Sequence, residues 1–375
     1  MAGLYIHIPF CASRCIYCSF YSTTRLDLRQ QYVDAVCREM GMRMLPSAFA
    51  TDPPTISTVY LGGGTPSQLT VAQLHQLFDT LYIYKVEQNA EITIEMNPDD
   101  VTPQYAAALT GLGINRVSMG AQTFDDQRLR FLHRRHTAAQ VSEAVCILRN
   151  AGVRNISIDL MYGFPGETID DWQRDIDAVL ALDVEHLSAY CLMVEEGTAL
   201  YRMMNKGGDF LMCDEETERT MYEQLTDRLT AVGYEHYEIS NFARPDYRSR
   251  HNSSYWHDMP YIGLGAAAHS YDGVCRSWNV SDICSYINAV NHGELPSEGE
   301  TLDDDTRYND RIATALRTSD GLDLATLTDR HRQYCIQEAQ PFIKDELLSL
   351  TDNRLVLTRR GIFVSDMVMS ALVWA

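Results

Sequence analysis

The chain reads as an α/β protein: an open, partial (β/α)6 barrel followed by a small, winged-helix-like α+β module. Two observations lead there. Up to about residue 190, short apolar or β-branched runs alternate with segments of helical period, a pattern of parallel strands covered by helices. Six such units are too few to close an eight-fold barrel. Beyond about residue 300 the alternation gives way to helical patterns and a short pair of strands.

In chain order, Leu4-Tyr5-Ile6-His7-Ile8 is a buried first strand stopped by Pro9. A helical stretch over 28–45 follows. Thr58-Val59-Tyr60-Leu61 is the second strand, closed by Gly62-Gly63-Gly64-Thr65-Pro66, where glycine lets the backbone approach a ligand. Ile92-Thr93-Ile94-Glu95 is the third, ended by Asn97-Pro98. Asn115-Arg116-Val117-Ser118-Met119 is the fourth and runs into Gly120-Ala121-Gln122-Thr123. Ile156-Ser157-Ile158-Asp159-Leu160-Met161 is the fifth, and His186-Leu187-Ser188-Ala189-Tyr190 the sixth. Helical periods lie between them at 73–82, 103–112, 138–150 and 169–182. Sites in parallel α/β folds gather at the C-terminal ends of the strands, where these polar landmarks fall. Glu95 ends an otherwise apolar or β-branched strand. A buried carboxylate without a partner is costly, so it is expected to hold a group such as a ribose, or else to cap the following turn.

After the barrel, Tyr261-Ile262-Gly263-Leu264-Gly265-Ala266-Ala267-Ala268-His269-Ser270 is small and apolar. It is expected to pack tightly near the barrel mouth, with His269 as a satisfied core histidine. The acidic stretch 298–305 marks a boundary. Helical patterns at 308–318, 324–331 and 336–348 then precede a hairpin built from 353–358 and 362–364. The division that follows is 1–235 for the barrel, 236–300 for a connecting segment and 301–375 for the C-terminal module.

Composition narrows the class. A chain of 375 residues exceeds the usual single core. No run of 18 apolar residues exists to span a bilayer, so any membrane contact would be peripheral. The first residues run straight into a strand rather than a secretory signal, and 10 cysteines in such a chain imply a reducing, cytoplasmic setting. A formal charge of −20 argues against nucleic-acid binding, including by the C-terminal module, for which covering the barrel or receiving a partner fits better.

The densest chemistry is Cys11-Ala12-Ser13-Arg14-Cys15-Ile16-Tyr17-Cys18. A structural zinc site is closed by four ligands, and a catalytic one includes histidine or carboxylate. A [4Fe–4S] cluster normally takes four cysteines, one per iron, so three on one loop leave an iron open to a small molecule. The other cysteines (37, 146, 191, 213, 275, 284 and 335) are scattered without a second C-x-x-C, and no auxiliary cluster is expected.

On these residues the chain resembles the radical S-adenosylmethionine (SAM) superfamily, in which the open iron chelates the amino and carboxylate groups of SAM. Tyr17 stands at the aromatic position before the third cysteine. The triple-glycine turn resembles the motif that receives the SAM amino group. Longer phrases are similar to the oxygen-independent coproporphyrinogen III oxidase group: Tyr5-Ile6-His7-Ile8-Pro9-Phe10-Cys11, Gly62 to Ser67, Val117 to Gln122 and Ile158 to Pro165. The resemblance covers nearly the whole chain. It implies that Tyr5, Tyr17, Gly63, Gly64, Thr65 and Glu95 line SAM, and that Gln122, Arg134 and Asp159 match positions that bind a second SAM in the oxidase.

Two departures stand out. The oxidase has a further cysteine where this chain has Phe20, and a long extension where only ten residues precede Cys11. Both fit a sister family of heme chaperones. That family shares Tyr237-Glu238-Ile239-Ser240-Asn241-Phe242-Ala243 and the H-N-x-x-Y-W element His251-Asn252-Ser253-Ser254-Tyr255-Trp256, which is associated with heme. Histidine can ligate or orient iron, and Tyr255 and Trp256 offer flat apolar surface. The same residues could equally form a structural corner. The implied function is to bind heme and pass it to acceptors such as respiratory proteins, with no catalytic residue assigned. Two alternatives stay open: oxidative decarboxylation of coproporphyrinogen III, and radical chemistry on a non-tetrapyrrole substrate.

Overall fold

A computed structural model describes residues 2–44, 55–205 and 211–374. Leu45, the end of the expected 28–45 helix, lies outside them. The barrel half runs β1 (Ala2–Ile8), α1 (Arg29–Met44), β2 (Ile56–Gly63), α2 (Val71–Leu81), β3 (Val86–Met96), α3 (Pro103–Gly111), β4 (Arg116–Gln122), α4 (Asp126–Phe131), α5 (Ala138–Asn150), β5 (Asn155–Tyr162), α6 (Ile169–Ala181) and β6 (His186–Cys191). Strands β1 to β6 pair in sequence order and all in parallel. Helix starts are set by local chemistry. Thr70 and Gln73 form a reciprocal capping box on α2, as do Thr168 and Asp171 on α6.

The strands are not the near-continuous apolar runs expected of a parallel sheet. They alternate. Leu4, Ile6, Ile8, Val59, Leu61, Ile92, Ile94, Val117, Met119, Ile156, Ile158 and Leu160 join one buried apolar cluster with the covering helices. The intervening positions are polar: Tyr5, Tyr60, Thr93 and Arg116 are register neighbours, as are Glu95, Ser118, Ser157 and His186. Successive strand residues face opposite sides of a sheet, so the second set forms the concave interior. A barrel with room for ligands lines itself with polar side chains, and that is why the period is two.

The chain continues with α7 (Ala199–Asn205), α8 (Glu215–Ala231), β7 (Glu235–Glu238), β8 (Asn241–Ala243), α9 (Arg250–Trp256), β9 (Tyr261–Leu264), β10 (His269–Tyr271), β11 (Cys275–Asn279), α10 (Ile283–Asn291) and β12 (Ser297–Thr301). Strands β7 to β12, which fall almost wholly in 236–300, read from sequence as a connection, extend the sheet at both edges. Among the described residues the strand order is β12-β11-β10-β9-β1-β2-β3-β4-β5-β6-β8-β7. With β9 on one edge and β8 on the other, the six central strands stay open. Part of the acidic stretch 298–305 belongs to strand β12.

The C-terminal part comprises α11 (Asp304–Ala315), β13 (Leu322–Asp323), α12 (Asp329–Lys344), β14 (Leu348–Thr351), β15 (Arg354–Leu357), α13 (Arg359–Ile362) and α14 (Ser365–Leu372). The expected helices at 324–331 and 336–348 are instead a short 3-10 turn and the single helix α12, whose N-cap Thr328 accepts from His331 N–H. The hairpin is β14–β15, and Ile362 and Phe363 end a helix rather than extend it. This part has its own apolar core. Backbone bonds tie it to the barrel, with Ile239 N donating to Arg317 O and Ser319 N to Tyr237 O.

Candidate functional site

A cavity of about 1210 Å³ opens at the C-terminal ends of the central strands and continues beneath β9 to β11 and α11. Cys11, Cys15 and Cys18 face it from the loop after β1. The base of that loop is pinned: Cys11 N donates to Thr23 O at 2.9 Å, Thr23 N to Pro9 O at 2.7 Å and Thr65 N to Phe10 O at 2.8 Å. Cys11 Sγ lies 3.4 Å from Thr65 Oγ1, and Arg134 Nη1 donates to Cys15 Sγ at 3.5 Å. Burial pushes the Cys11 and Cys18 thiols up, and neighbouring thiols add to the effect. A bound metal centre reverses this, because coordination deprotonates the thiol. Cys191, at the end of β6, also borders the cavity. Burial and the nearby Glu218 push it up to about 12, which leaves it a protonated wall residue.

The glycine turn abuts this loop. A Cβ at Gly64 would lie 2.7 Å from Pro9 C, and one at Gly63, whose φ is +107°, would lie 2.3 Å from the His7 ring. Glu95 holds the turn, accepting from Gly63 N at 3.0 Å and from Tyr60 OH at 2.8 Å. Neither bond caps the turn after β3; Glu95 secures the glycine turn after β2 instead. Burial raises Glu95 to about 7 and Asp159 to about 6. Asp159 accepts from Ser118 Oγ at 3.3 Å.

Strand β4 ends in a register shift that puts Gln122 in the left-handed region at φ 68°. Such strain is usually kept where a side chain must be aimed, and Gln122 borders the cavity. Arg134 Nη2 donates at 2.6 Å both to Asn97 Oδ1 and to Gly120 O, while its buried Nε has no partner. Tyr5, Tyr17, Gly63, Gly64, Thr65, Glu95, Gln122, Arg134 and Asp159 all border the one cavity. Three thiols that face one cavity from a single loop, a buried cation beside one of them and an orphaned guanidinium N–H suit an iron–sulfur cluster with an anionic ligand. Among the described residues no three His, Cys, Asp or Glu side chains converge on a single metal ion.

The H-N-x-x-Y-W element divides. Its helix α9 starts under an N-cap from Ser249, with Glu91 accepting from Arg250 N and His251 N. His251 is fully buried; Nδ1 lies 2.8 Å from Thr58 Oγ1 and Nε2 lies 2.8 Å from Tyr255 OH. Its ring stacks on Tyr60 at 5.1 Å, and burial lowers it to about 3. Both nitrogens are engaged, so His251 closes the barrel floor behind the cavity wall. Tyr255 and Trp256 reach the cavity; Asn252 does not. The Trp256 Nε1–H is buried without a partner, and Arg317 lies over its ring at 5.2 Å.

His269 is a correction to the sequence reading. It is exposed on β10 and borders the cavity, because the small residues before it pack beneath the strand and deliver it to the rim. Asn97, Tyr261 and Tyr271, which border the cavity, were also passed over, as was Tyr60, which bonds Glu95. The alternation within the strands carried the signal for Tyr60.

The fold and site define a radical SAM protein. A family model described as the radical SAM superfamily matches residues 5–179, and one described as the HemN C-terminal domain matches 302–364. Curated relatives named heme chaperone HemW are 36% identical over 99% of this chain and 94% of the relative in Mycobacterium tuberculosis, and 32% identical over 100% and 99% in Bacillus subtilis. The solved coproporphyrinogen III oxidase HemN from Escherichia coli, a radical SAM enzyme, superposes with a TM-score of 0.84 at 23% identity, covering 99% of this chain and 90% of that one. The chain belongs to the HemW family.

Proposed function

We propose that this protein binds heme in the aromatic part of the cavity and hands it to heme-dependent acceptors such as respiratory enzymes, with a [4Fe–4S] cluster on Cys11, Cys15 and Cys18 and SAM on the adjoining wall. One observation carries the reading: a single cavity joins the cysteine loop to a wall of Tyr255, Trp256, Tyr261 and Tyr271. Its volume of about 1210 Å³ exceeds the roughly 300–1,000 Å³ of an ordinary small-molecule site, leaving room for SAM and a tetrapyrrole together. The name of the relatives supports the choice of heme.

The protein's own groups have definite tasks. Arg134 ties the cysteine loop to β3 and β4 and offers Nε–H to an anion. Glu95 keeps the glycine turn against the loop. Tyr255 and Trp256 provide flat surface and one unused indole N–H. When bound, a reduced cluster and SAM supply one-electron chemistry, which the oxidase reading would direct at propionate side chains. Phe20, at the rim and 70% exposed, puts a ring where that reading wants a further thiol. All ten cysteines are unpaired, in keeping with a reducing, cytoplasmic setting.

The test is anaerobic reconstitution followed by parallel assays. Heme titration is expected to give a saturable complex, and incubation with SAM, a strong reductant and coproporphyrinogen III is expected to give no protoporphyrinogen. Sustained turnover would hand the case to the oxidase reading.

A further inference from the structure

We infer that the imidazole which contacts heme iron in this protein is His269, on the antiparallel extension of the sheet, and that His251 of the signature helix only positions Tyr255. The inference rests on the proposed heme binding and deepens it.

An axial ligand needs a ring nitrogen free of protein partners and facing the cavity. Among the described residues, His7, His133 and His269 border it. His7 is engaged at both nitrogens, lying 3.0 Å from Tyr5 OH and 3.1 Å from Tyr21 O. His133 is exposed but adjoins Arg134, the cation bonded to Cys15, and so belongs to the cluster side. His269 lies on the aromatic side. Its ring meets Trp278 at 6.2 Å, and among the described residues no hydrogen bond engages either nitrogen.

The wall around His269 is rich in flat rings, among them Tyr255, Tyr261 and Tyr271, with Arg276 and Arg311 set between them. Register places His269 opposite Trp278 and Tyr271 opposite both Arg276 and Tyr261, so these alternate residues share one face. Tyr255 packs edge-on against Tyr261 at 4.7 Å, joining α9 to that face. Its cations are already matched: Arg276 pairs with Glu300 and Asp310, and Arg311 with Asp258. No unpaired cluster of positive charge is offered there, which suits a planar macrocycle better than a polyphosphate.

The backbone under His269 is fixed. A Cβ at Gly263 would fall 2.0 Å from His269 O, so only glycine lets β9 and β10 cross this closely. Ser270 Oγ accepts from Gly263 N at 2.9 Å, and Asn279 N donates to Ala268 O at 2.9 Å. A ligand held on a rigid strand presents its nitrogen at one height above the wall.

The test uses reconstituted protein titrated with hemin and, separately, with metal-free protoporphyrin IX, read by Soret position and electron paramagnetic resonance. Wild type is expected to bind hemin more tightly than the metal-free ring. His269→Ala is expected to weaken hemin binding roughly tenfold or more, to shift the Soret band and to leave protoporphyrin binding nearly unchanged. Added imidazole is expected to restore the wild-type spectrum, and His133→Ala to retain it. A His269→Ala protein with unaltered hemin spectrum and affinity overturns the assignment, as does loss of the spectrum in His133→Ala. Wild type that binds neither ring overturns the proposed function itself, so the two failures are separable.

Discussion

On the proposed cluster assignment each thiol of the Cys11 loop is one of only three protein ligands, so replacing any of them with alanine is expected to abolish the brown chromophore of the reconstituted protein. Cys37→Ala and Cys146→Ala are expected to keep it, since Cys37 leans on Gln76 O and Cys146 is exposed. Iron and sulfide analysis showing full content in Cys15→Ala would contradict the assignment. Glu95 gives a second prediction. Burial raises it to about 7, above its ordinary carboxylate value, so the folded chain binds more protons than the unfolded one between roughly pH 4.5 and 7. That contribution to stability is present below the unfolded pKa and is lost as pH rises through the folded one. In urea unfolding of the cluster-free chain, the stability of wild type relative to Glu95→Gln is expected to fall across this window. A pH-independent difference would mean that Glu95 is not protonated there. The cysteines, the glycine turn and Glu95 were legible in sequence because each is a rare residue type at a strand end. Gly63 takes φ +107°, and its missing Cβ also makes way for the His7 ring, a contact that local sequence does not announce.

At the scale of elements, the six strands were recoverable from their apolar members, but their ends were not. The alternation of Tyr5, His7, Thr58, Tyr60, Thr93 and Glu95 with aliphatic residues reports a polar interior, which a search for buried apolar runs does not see. The edge strands β7 to β12 are short, and their pairing depends on distant partners, so local pattern could not place them. Helix α9 shows what spacing alone leaves open. His251 and Tyr255 lie one turn apart on one face, and the structure turns the histidine inward and the tyrosine toward the cavity. His251→Ala leaves the Thr58 and Tyr255 hydroxyls without that partner and is expected to cost about 1–3 kcal/mol for each group left unsatisfied, with the cluster retained. Trp256→Ala removes a flat contact and is expected to weaken heme binding by on the order of 1 kcal/mol, a several-fold loss, with little change in stability. Heme titration beside thermal unfolding separates the two. A Trp256→Ala protein of unchanged affinity would move the site off this wall.

At the scale of the molecule, the barrel and the C-terminal part each have an apolar core and meet through both apolar and polar contacts. Ile362 and Phe363 pack on the barrel core, with Phe363 edge-on to Tyr222 at 5.5 Å. Arg311 to Asp258, Arg317 to Glu238 and Arg359 to Asp227 all cross between them. Helix α11 thereby walls the aromatic side of the cavity, with Thr314 and Arg311 bordering it. This roof was legible in sequence only as a module that covers the barrel, because its contacts join residues 53 to 132 positions apart. An open cavity walled on one side by such a helix suits cargo that is held and then released. Release to an acceptor is the central claim, and stopped-flow transfer tests it most directly. Heme-loaded protein is mixed with rising concentrations of a heme-free respiratory cytochrome, with apomyoglobin as a passive scavenger, and the Soret change is followed. The transfer rate is expected to rise with cytochrome concentration and to be independent of apomyoglobin concentration. A single rate, the same for both acceptors at every concentration, would mean that heme merely dissociates and would contradict the account.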